Sequence, residues 1–375
     1  MAENTKIQWA THTFNPWRGC SKIAPGCANC YADAQSKRNP GTLGIWGSHG
    51  TRVVASEAMW REPVKWDRDA EIGYYVEIEH DLPAPRPRCR VFCASLSDVF
   101  EDYKGPLVNS KGHMMWVDRV TGEIFALGEA KQLDPKNAQP RHANLDDVRT
   151  RLFRTIDATP NLDWLLLTKR PENVRRMWPE YELGRWDSTG RELPRNHRRP
   201  NVWLGTSIAC QEDADRNVPE LLKCRDLCAK TFLSIEPLIG PVNLRDLDNG
   251  RMRCHWNVLD GSYTQEMHDG GMGIVSRSPH HVDWVIVGGE SGPNARPCDI
   301  TWIRSIARQC RDAGVPCFVK QLGSSPVGLR FEMDEQGRPF CVEGNNFRGR
   351  ARPLDPKGGD PDEWPEDLRV REVPS

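Results

Sequence analysis

The chain has 375 residues, of which 27% are charged, and a formal net charge of -1. This length allows one large core or two domains, and the balanced charge gives no overall attraction to nucleic acid. Residues 1–6 lack the apolar region of a secretory signal, and no apolar run approaches the roughly 20 residues of a membrane span. We therefore expect a reducing cytoplasm and no membrane partner, with the 13 cysteines binding metal or lying in cores.

Short apolar runs alternate with helical segments along most of the chain, which predicts strands and helices in alternation. Up to residue 158 we predict a first strand, a cysteine loop and a helix start within 1–37, an irregular stretch over 38–70 with a short helix near 55–60, a strand at 90–94, a polar insertion and a helix at 144–158. We then predict a strand at 164–168, a helix opened by Pro171, a strand at 202–207 and a helix including 219–222. After these we predict a strand at 231–236, a second insertion, a strand at 284–287, a helix at 302–313 stopped by Gly314, and a strand at 316–320.

Continuous apolar strands separated by helices are typical of buried parallel strands in βαβ units. We predict an α/β fold with about six or seven such strands, arranged as a partial or complete TIM-like (β/α) barrel. This barrel would occupy residues 1–323, with loop insertions at about 104–142 and 245–282. Residues 324–375 would form a loop-rich C-terminal extension that packs on the barrel.

Polar residues follow six of the predicted strands directly. Because the carboxyl ends of the strands build the active site of such barrels, this repetition predicts an enzyme. A structural salt bridge or a simple strand terminus is the alternative reading at each single position. The residues are Asp98 with Ser97, Lys169, Ser207, Glu236, Glu290 and Lys320.

Three cysteines, Cys20, Cys27 and Cys30, have the spacing C-x6-C-x2-C on a loop that contains several turn-forming residues. Three thiolates on one short loop are a metal-ligand arrangement. A structural zinc site normally has four protein ligands, so zinc would need a fourth such as His12. A 4Fe-4S cluster with three cysteines leaves one iron open to a ligand. Cysteines that bind no metal are the third reading.

The chain resembles an uncharacterised phage and prophage family that carries this three-cysteine motif. The resemblance extends over about residues 7–323 and is carried by short blocks at 15–20, 167–171, 202–205, 233–238, 288–293, 320–321 and 364–368. The cysteine loop is also similar to that of radical S-adenosylmethionine enzymes, whose usual spacing is C-x3-C-x2-C. The first gap here is longer.

The radical-enzyme resemblance implies two cofactors, a 4Fe-4S cluster on the three cysteines and S-adenosylmethionine on the open iron. An electron donor would then drive cleavage of the sulfonium, and the resulting 5'-deoxyadenosyl radical would abstract a substrate hydrogen. The cofactors supply this chemistry, while the protein orients them and excludes water. No residue is assigned as catalytic.

Residues near the cysteine loop and at strand ends are the candidates for holding S-adenosylmethionine. The Gly-Gly-Glu run at 288–290 resembles the signature that binds the methionine amino group, although that signature follows the second strand and this run follows about the sixth. Arg170 is a further candidate for a carboxylate or phosphate. The predicted cofactor-binding residues are Tyr31, Ser95, Ser97, Asp98, Lys169, Ser207, Glu236, Gly288, Gly289, Glu290 and Lys320.

We expect a nucleic-acid base or nucleotide as substrate, because basic and Trp-rich segments can neutralise phosphate and stack bases. A peptide or a small metabolite is the alternative substrate. The alternative is a non-catalytic iron-sulfur or zinc protein that binds nucleic acid or a partner protein. A metal-dependent hydrolase is a third reading. It is disfavoured because the strand ends supply almost no histidine.

Overall fold

The computed structural model describes every residue except 1, 4, 6, 80–87, 127–139, 180–197, 249–253, 267–271, 334–338, 344–354 and 375. The chain divides into two compact units. The first comprises Met1–Ile23, Cys30–Trp203 and Asp226–Ala229. The second comprises Ala24–Asn29, Leu204–Arg225 and Lys230–Ser375.

The described strands are numbered in chain order and have the following bounds: β1 Ala2–Glu3, β2 His12–Thr13, β3 Trp17–Arg18, β4 Arg52–Val54, β5 Cys89–Cys93, β6 Leu107–Val108, β7 Met115–Asp118, β8 Ile124–Ala126, β9 Pro140–His142, β10 Leu162–Thr168, β11 Arg199–Ser207, β12 Cys228–Ile235, β13 Leu247–Asp248, β14 Cys254–Trp256, β15 Ser262–Glu266, β16 Met272–Arg277, β17 Trp284–Gly288, β18 Cys298–Asp299, β19 Cys317–Gln321, β20 Pro326–Val327, β21 Leu329–Met333 and β22 Pro339–Glu343. The α-helices are α1 Tyr31–Arg38, α2 Pro40–Leu43, α3 Glu57–Glu79, α4 Leu145–Asp157, α5 Val174–Met177, α6 Gln211–Leu222 and α7 Ile300–Ala313. Short 3-10 helices span Pro25–Cys27, Pro171–Asn173, Arg225–Leu227, Pro361–Glu363 and Glu366–Leu368.

The main sheet has eight strands in the order β1-β2-β5-β10-β11-β12-β17-β19. Seven of them are parallel and form a partial barrel, whereas β1 pairs antiparallel with β2. The predicted α/β class and its count of parallel strands are therefore confirmed. The strands β10, β12 and β17 are almost entirely buried, as expected for apolar strands in a parallel sheet.

Helices α4 and α7 show why the helix predictions are confirmed. A capping box begins α4, because the Asn144 side chain accepts from the amide of Asp147 and the Asp147 carboxylate accepts from the amide of Asn144. Helix α7 begins at the N-cap Asp299 and ends at Gly314, which adopts the left-handed conformation. Both helices bury one apolar side, as their sequence periodicity predicts.

The structure corrects three predictions of irregular chain. Instead of a short helix near 55–60, α3 continues to Glu79, with Pro63 inside it and with Trp60 and Trp66 buried. The first insertion contains β6 and the three-stranded antiparallel sheet β8-β7-β9. The second contains the four-stranded antiparallel sheet β13-β14-β15-β16. These strands are short or polar, so continuous apolar runs could not identify them.

In the second unit, the C-terminal residues pack along β19 and β17. The amide of Val319 donates to Val370 O at 2.8 Å, and the indole Nε1 of Trp284 donates to Glu372 O at 2.9 Å. Trp364 is buried in this segment. The predicted loop-rich extension thus also contains the hairpin β21–β22 and two 3-10 helices. None of the described helices combines the length and apolarity that crossing a membrane would require.

Candidate functional site

The cysteine loop follows β2 and the short strand β3, and it ends where α1 begins. Residues Pro25–Cys27 form a 3-10 turn, and Cys30 is the N-cap of α1. Cys20, Cys27 and Cys30 are half-buried thiols and none of them forms a disulfide. Three thiols of this kind fit an iron-sulfur cluster in their chemistry. Within the described part of the chain, no three side chains of His, Cys, Asp and Glu are gathered as metal ligands.

In the first unit, the Arg170 guanidinium lies beside Cys20. Its Nη1 is 3.7 Å from Cys20 Sγ and donates to Asp98 Oδ2 at 2.8 Å. Its Nη2 donates to the carbonyl of Ser21 at 2.8 Å. Arg170 follows β10 and Asp98 follows β5, so residues from the carboxyl ends of two parallel strands hold the start of the cysteine loop.

A second buried ion pair holds the same part of the loop. Arg52 Nε and Nη2 donate to the two carboxylate oxygens of Glu101, each at 2.8 Å, and Nη2 also donates to Ser21 Oγ at 3.0 Å. The amide of Ser21 donates to Glu101 Oε1 at 2.9 Å. The Arg52 guanidinium lies 3.9 Å from the centre of the Tyr103 ring. We call Ser21, Arg52, Asp98, Glu101 and Arg170 the Cys20 network.

The carboxylate of Asp98 is fully engaged in this network. Besides Arg170, it accepts from the Thr168 hydroxyl at 2.7 Å, from the Phe100 amide at 3.0 Å and from the Lys169 amide at 3.0 Å. The structure therefore places Asp98 at the predicted strand end, where its oxygens accept hydrogen bonds from other groups of the protein.

The Cys20 network controls the protonation of the thiol. Burial raises the pKa of Cys20, and the carboxylates of Glu101 and Asp98 raise it further, to about 12, while Arg170 opposes this increase. Burial alone would lower the pKa of Arg170, but Asp98, Cys20 and Glu101 outweigh it and raise that pKa above its ordinary value. A raised pKa favours the protonated form of the Cys20 thiol, and a bound metal would have to displace that proton.

The remaining candidates of the first unit lie near the same strand ends. The Tyr31 hydroxyl donates to Ser95 O at 2.6 Å, and Ser95 Oγ accepts from Asn15 Nδ2 at 3.0 Å. Ser97 Oγ is buried and has no hydrogen-bond partner among the described residues. Lys169 is half-buried, and no described residue bonds its ammonium group. Ser97 and Lys169 therefore keep polar groups that a ligand could use.

In the second unit, Glu290 holds the middle of the cysteine loop. Its Oε2 accepts from Asn29 Nδ2 at 3.0 Å and from the Arg296 amide at 2.8 Å. Arg296 Nη2 donates to Glu290 Oε1 at 2.7 Å, and its Nη1 donates to Pro25 O at 2.9 Å. Burial raises the pKa of Glu290, but the bonds from Arg296 and Asn29 outweigh it and hold that pKa below 4.5. We call Asn29, Glu290 and Arg296 the Glu290 network.

The two glycines before Glu290 are required by the neighbouring chain. A Cβ atom on Gly289 would lie 2.2 Å from Leu322 O, and one on Gly288 would lie 3.0 Å from Gln321 O. The side chain of Gln321 also donates to Gly289 O at 2.8 Å. Close backbone packing explains both glycines without a ligand.

A charged pair lies at the ends of β12 and β19 in the second unit. Lys320 Nζ is 3.0 Å from Glu236 Oε1, and the Ser234 hydroxyl donates to Glu236 Oε2 at 3.3 Å. Ser207 Oγ donates to Glu236 O at 3.4 Å. The Lys320 side chain is 28% exposed, so this pair can be reached by a ligand.

The structure gives His12, the candidate fourth zinc ligand, other contacts. Its Nδ1 is 2.8 Å from Thr11 Oγ1, and its ring centre is 4.5 Å from that of Trp66.

Sequence reasoning missed Arg52, Glu101, Asn29 and Arg296. None of the four directly follows a predicted parallel strand, so the strand-end rule could not select them. Their signal is weak: Asn29 is a single amide within the cysteine loop, and only the folded chain brings Arg52, Glu101 and Arg296 to that loop.

A model of a protein family described as "Protein of unknown function (DUF5131)" matches residues 4–111 and 141–349. The match includes most of the chain, so the chain belongs to this family. No curated protein and no solved structure shows significant similarity to this chain.

Proposed function

We propose that this member of the DUF5131 family is a radical S-adenosylmethionine enzyme on a TIM-like barrel. Cys20, Cys27 and Cys30 would hold the 4Fe-4S cluster. When bound, the cluster and S-adenosylmethionine supply reductive sulfonium cleavage and a 5'-deoxyadenosyl radical that takes a hydrogen atom. The chain's own residues bind these groups, orient them and exclude water.

One observation carries the proposal: side chains from the carboxyl ends of parallel strands hold the cysteine loop in each unit. Asp98 and Arg170 follow β5 and β10 in the first unit and bond the loop beside Cys20. Glu290 follows β17 in the second unit and bonds Asn29, two residues after Cys27. Active sites of (β/α) folds lie at these strand ends.

The hydrogen bonds divide the predicted cofactor-binding residues into two groups. Asp98 and Glu290 already use their carboxylates on protein partners, so they act by positioning the loop. Lys169 and Lys320 keep partly exposed charges, and Glu236 pairs with Lys320 at the same strand ends. We assign S-adenosylmethionine contacts to these three, with Lys169 suited to a carboxylate and Glu236 to ribose hydroxyls or an amine.

The substrate we propose is a nucleic-acid base or nucleotide, with a separate electron donor. Every tryptophan in the described ranges is buried or half-buried, so none of these side chains is an exposed platform for base stacking. In the two insertions, Trp116 contacts the His142 ring and Trp256 stacks on Tyr263. Charged groups at the strand ends would therefore carry most of the recognition.

The second candidate is a non-catalytic metal protein that binds a partner. Two large apolar side chains favour it, because Ile23 and Tyr31 are 50% and 54% exposed beside the cysteines. Exposed apolar side chains mark a contact surface when they form a contiguous patch. Under this reading, the loop would bind iron-sulfur or zinc but would not cleave S-adenosylmethionine.

The test is anaerobic reconstitution with iron and sulfide, followed by dithionite, S-adenosylmethionine and quantification of 5'-deoxyadenosine. The three alanine variants of Cys20, Cys27 and Cys30 are compared with Cys89→Ala, which removes a half-buried thiol outside the loop. We expect product from wild type and Cys89→Ala only. An intact cluster without product supports the binding protein, and tight zinc without a cluster refutes the radical mechanism.

A further inference from the structure

The buried charges of the Cys20 network balance before any cluster is added. Arg52 and Arg170 carry two positive charges, and Asp98 and Glu101 carry two negative charges. All four side chains are at most 8% exposed, so water screens them little. A thiolate at Cys20 would add an uncompensated negative charge to this group.

Arg170 is the cation of the network that reaches the sulfur. Its Nη1 is 3.7 Å from Cys20 Sγ, whereas the Arg52 guanidinium bonds Glu101, Ser21 and backbone carbonyls. Hydrogen bonds and charge near the sulfurs set the potential of iron-sulfur clusters. A positive charge favours the more negative, reduced state, and it also stabilises the ligating thiolate.

We infer that Arg170 is a positioning residue that holds Cys20 as a cluster ligand and raises the reduction potential of the cluster. The inference rests on the proposed cluster. It differs from a role in binding S-adenosylmethionine, because the guanidinium already bonds Asp98 and Ser21 and lies beside the sulfur of Cys20.

The experiment is an EPR-monitored redox titration of the reconstituted full chain. Arg170→Gln should shift the midpoint to a more negative value, because Cys20 loses its neighbouring positive charge. Arg170→Lys should recover most of that shift. Asp98→Asn should move the midpoint in the opposite direction, since it removes a buried negative charge near the same sulfur.

The matched control is Arg199→Gln. Arg199 is similarly buried and pairs with an aspartate, Asp157, at 2.8 Å at the start of β11, and its guanidinium lies over the rings of Phe153 and Trp178. It should lose stability without a shift in midpoint. Arg170→Gln could fail to take up a cluster at all. In that case, a cluster that is retained in both Arg170→Lys and Arg199→Gln supports the inference. A cluster that is also lost in Arg199→Gln overturns it.

Failures of the two proposals are distinguishable in the same titration. A wild-type chain that takes up no cluster overturns both the proposed function and the role of Arg170. A wild-type cluster whose midpoint is unchanged in Arg170→Gln and Asp98→Asn overturns the role of Arg170 alone. A midpoint shift of equal size in Arg199→Gln also overturns the role of Arg170, because the shift would then reflect a general loss of packing.

Discussion

The two networks that hold the cysteine loop use the same chemistry in different surroundings. In the Cys20 network, Arg52 and Glu101 are 0% and 2% exposed. In the Glu290 network, the carboxylate is 6% exposed but Arg296 is 27% exposed. Both contain an arginine that donates two hydrogen bonds to one carboxylate.

This difference separates a rigid end of the loop from an adjustable one. Removing one partner of a buried ion pair leaves an uncompensated charge, whereas an arginine near water recovers solvation. The chain near Cys20 should therefore keep its position, and the turn at Pro25–Cys27 should yield more easily. Ligation of the proposed cluster would benefit from one ligand, Cys20, that keeps its position.

The largest effect is expected for Glu101→Gln. The change leaves the fully buried Arg52 without its counter-charge, so the free energy of unfolding should fall by about 3–5 kcal/mol. Urea denaturation of the apoprotein measures this loss. Arg52→Met alone should also destabilise, while the double variant should lose clearly less than the sum of the two. Additive losses would show that the two residues contribute independently.

A smaller effect is expected for Glu290→Ala. The Asn29 amide and the Arg296 guanidinium lose their acceptor, which should cost about 1–2 kcal/mol because one partner is near water. The loss should appear locally, as roughly tenfold faster hydrogen exchange at the amides of Cys27 and Ala28. These amides donate to Ala24 O and Pro25 O in the turn.

Hydrogen exchange at the amides of Cys27 and Ala28 should also depend on pH, through the carboxylate of Glu290. Because its folded pKa lies below 4.5, the carboxylate contributes its full stabilisation above that value and loses it as the pH falls through the lower folded pKa. Asp367→Ala is the control, since it breaks the Arg304–Asp367 pair of the same unit and contacts no residue of the loop. Equal acceleration in the control would contradict a specific role for Glu290.

The sequence predicts the parallel strands and the longer capped helices well because their signals are local. Strands β10 and β17 are continuous apolar runs, and α7 ends at a glycine that can adopt the left-handed conformation. Continuous apolar runs do not identify the antiparallel sheets of the insertions. Their strands are short or polar, and their pairing depends on partners elsewhere in the chain.

The candidate site is predictable only in part for the same reason. Strand ends identify Asp98 and Glu290, but not what their carboxylates bond. Asp98 looks available in sequence, and the fold supplies it with four donors from Phe100, Thr168, Lys169 and Arg170. Position along a strand is local information, whereas hydrogen-bond satisfaction is a property of the whole fold.

The smallest effect is expected for Glu57→Gln, which tests whether burial causes the difference between the networks. Glu57 accepts one hydrogen bond at each oxygen from the two terminal nitrogens of Arg151, but it is 61% exposed. The buried carboxylates also receive two bonds from one arginine, through its Nε and Nη2. The bonds from Arg151 lower the pKa of Glu57 even though partial burial opposes them. Water and salt screen such a pair, so the variant should lose only about 0.2–1 kcal/mol.

Urea denaturation at low and high salt distinguishes the two kinds of pair. The small loss in Glu57→Gln should disappear at high salt, while the loss in Glu101→Gln should persist, because counterions do not reach a carboxylate that is 2% exposed. Arg151 still contacts the Trp60 ring in the variant, at 4.4 Å in the native chain, so its packing remains. A loss in Glu57→Gln as large as that in Glu101→Gln would show that geometry, rather than burial, sets the strength of these pairs.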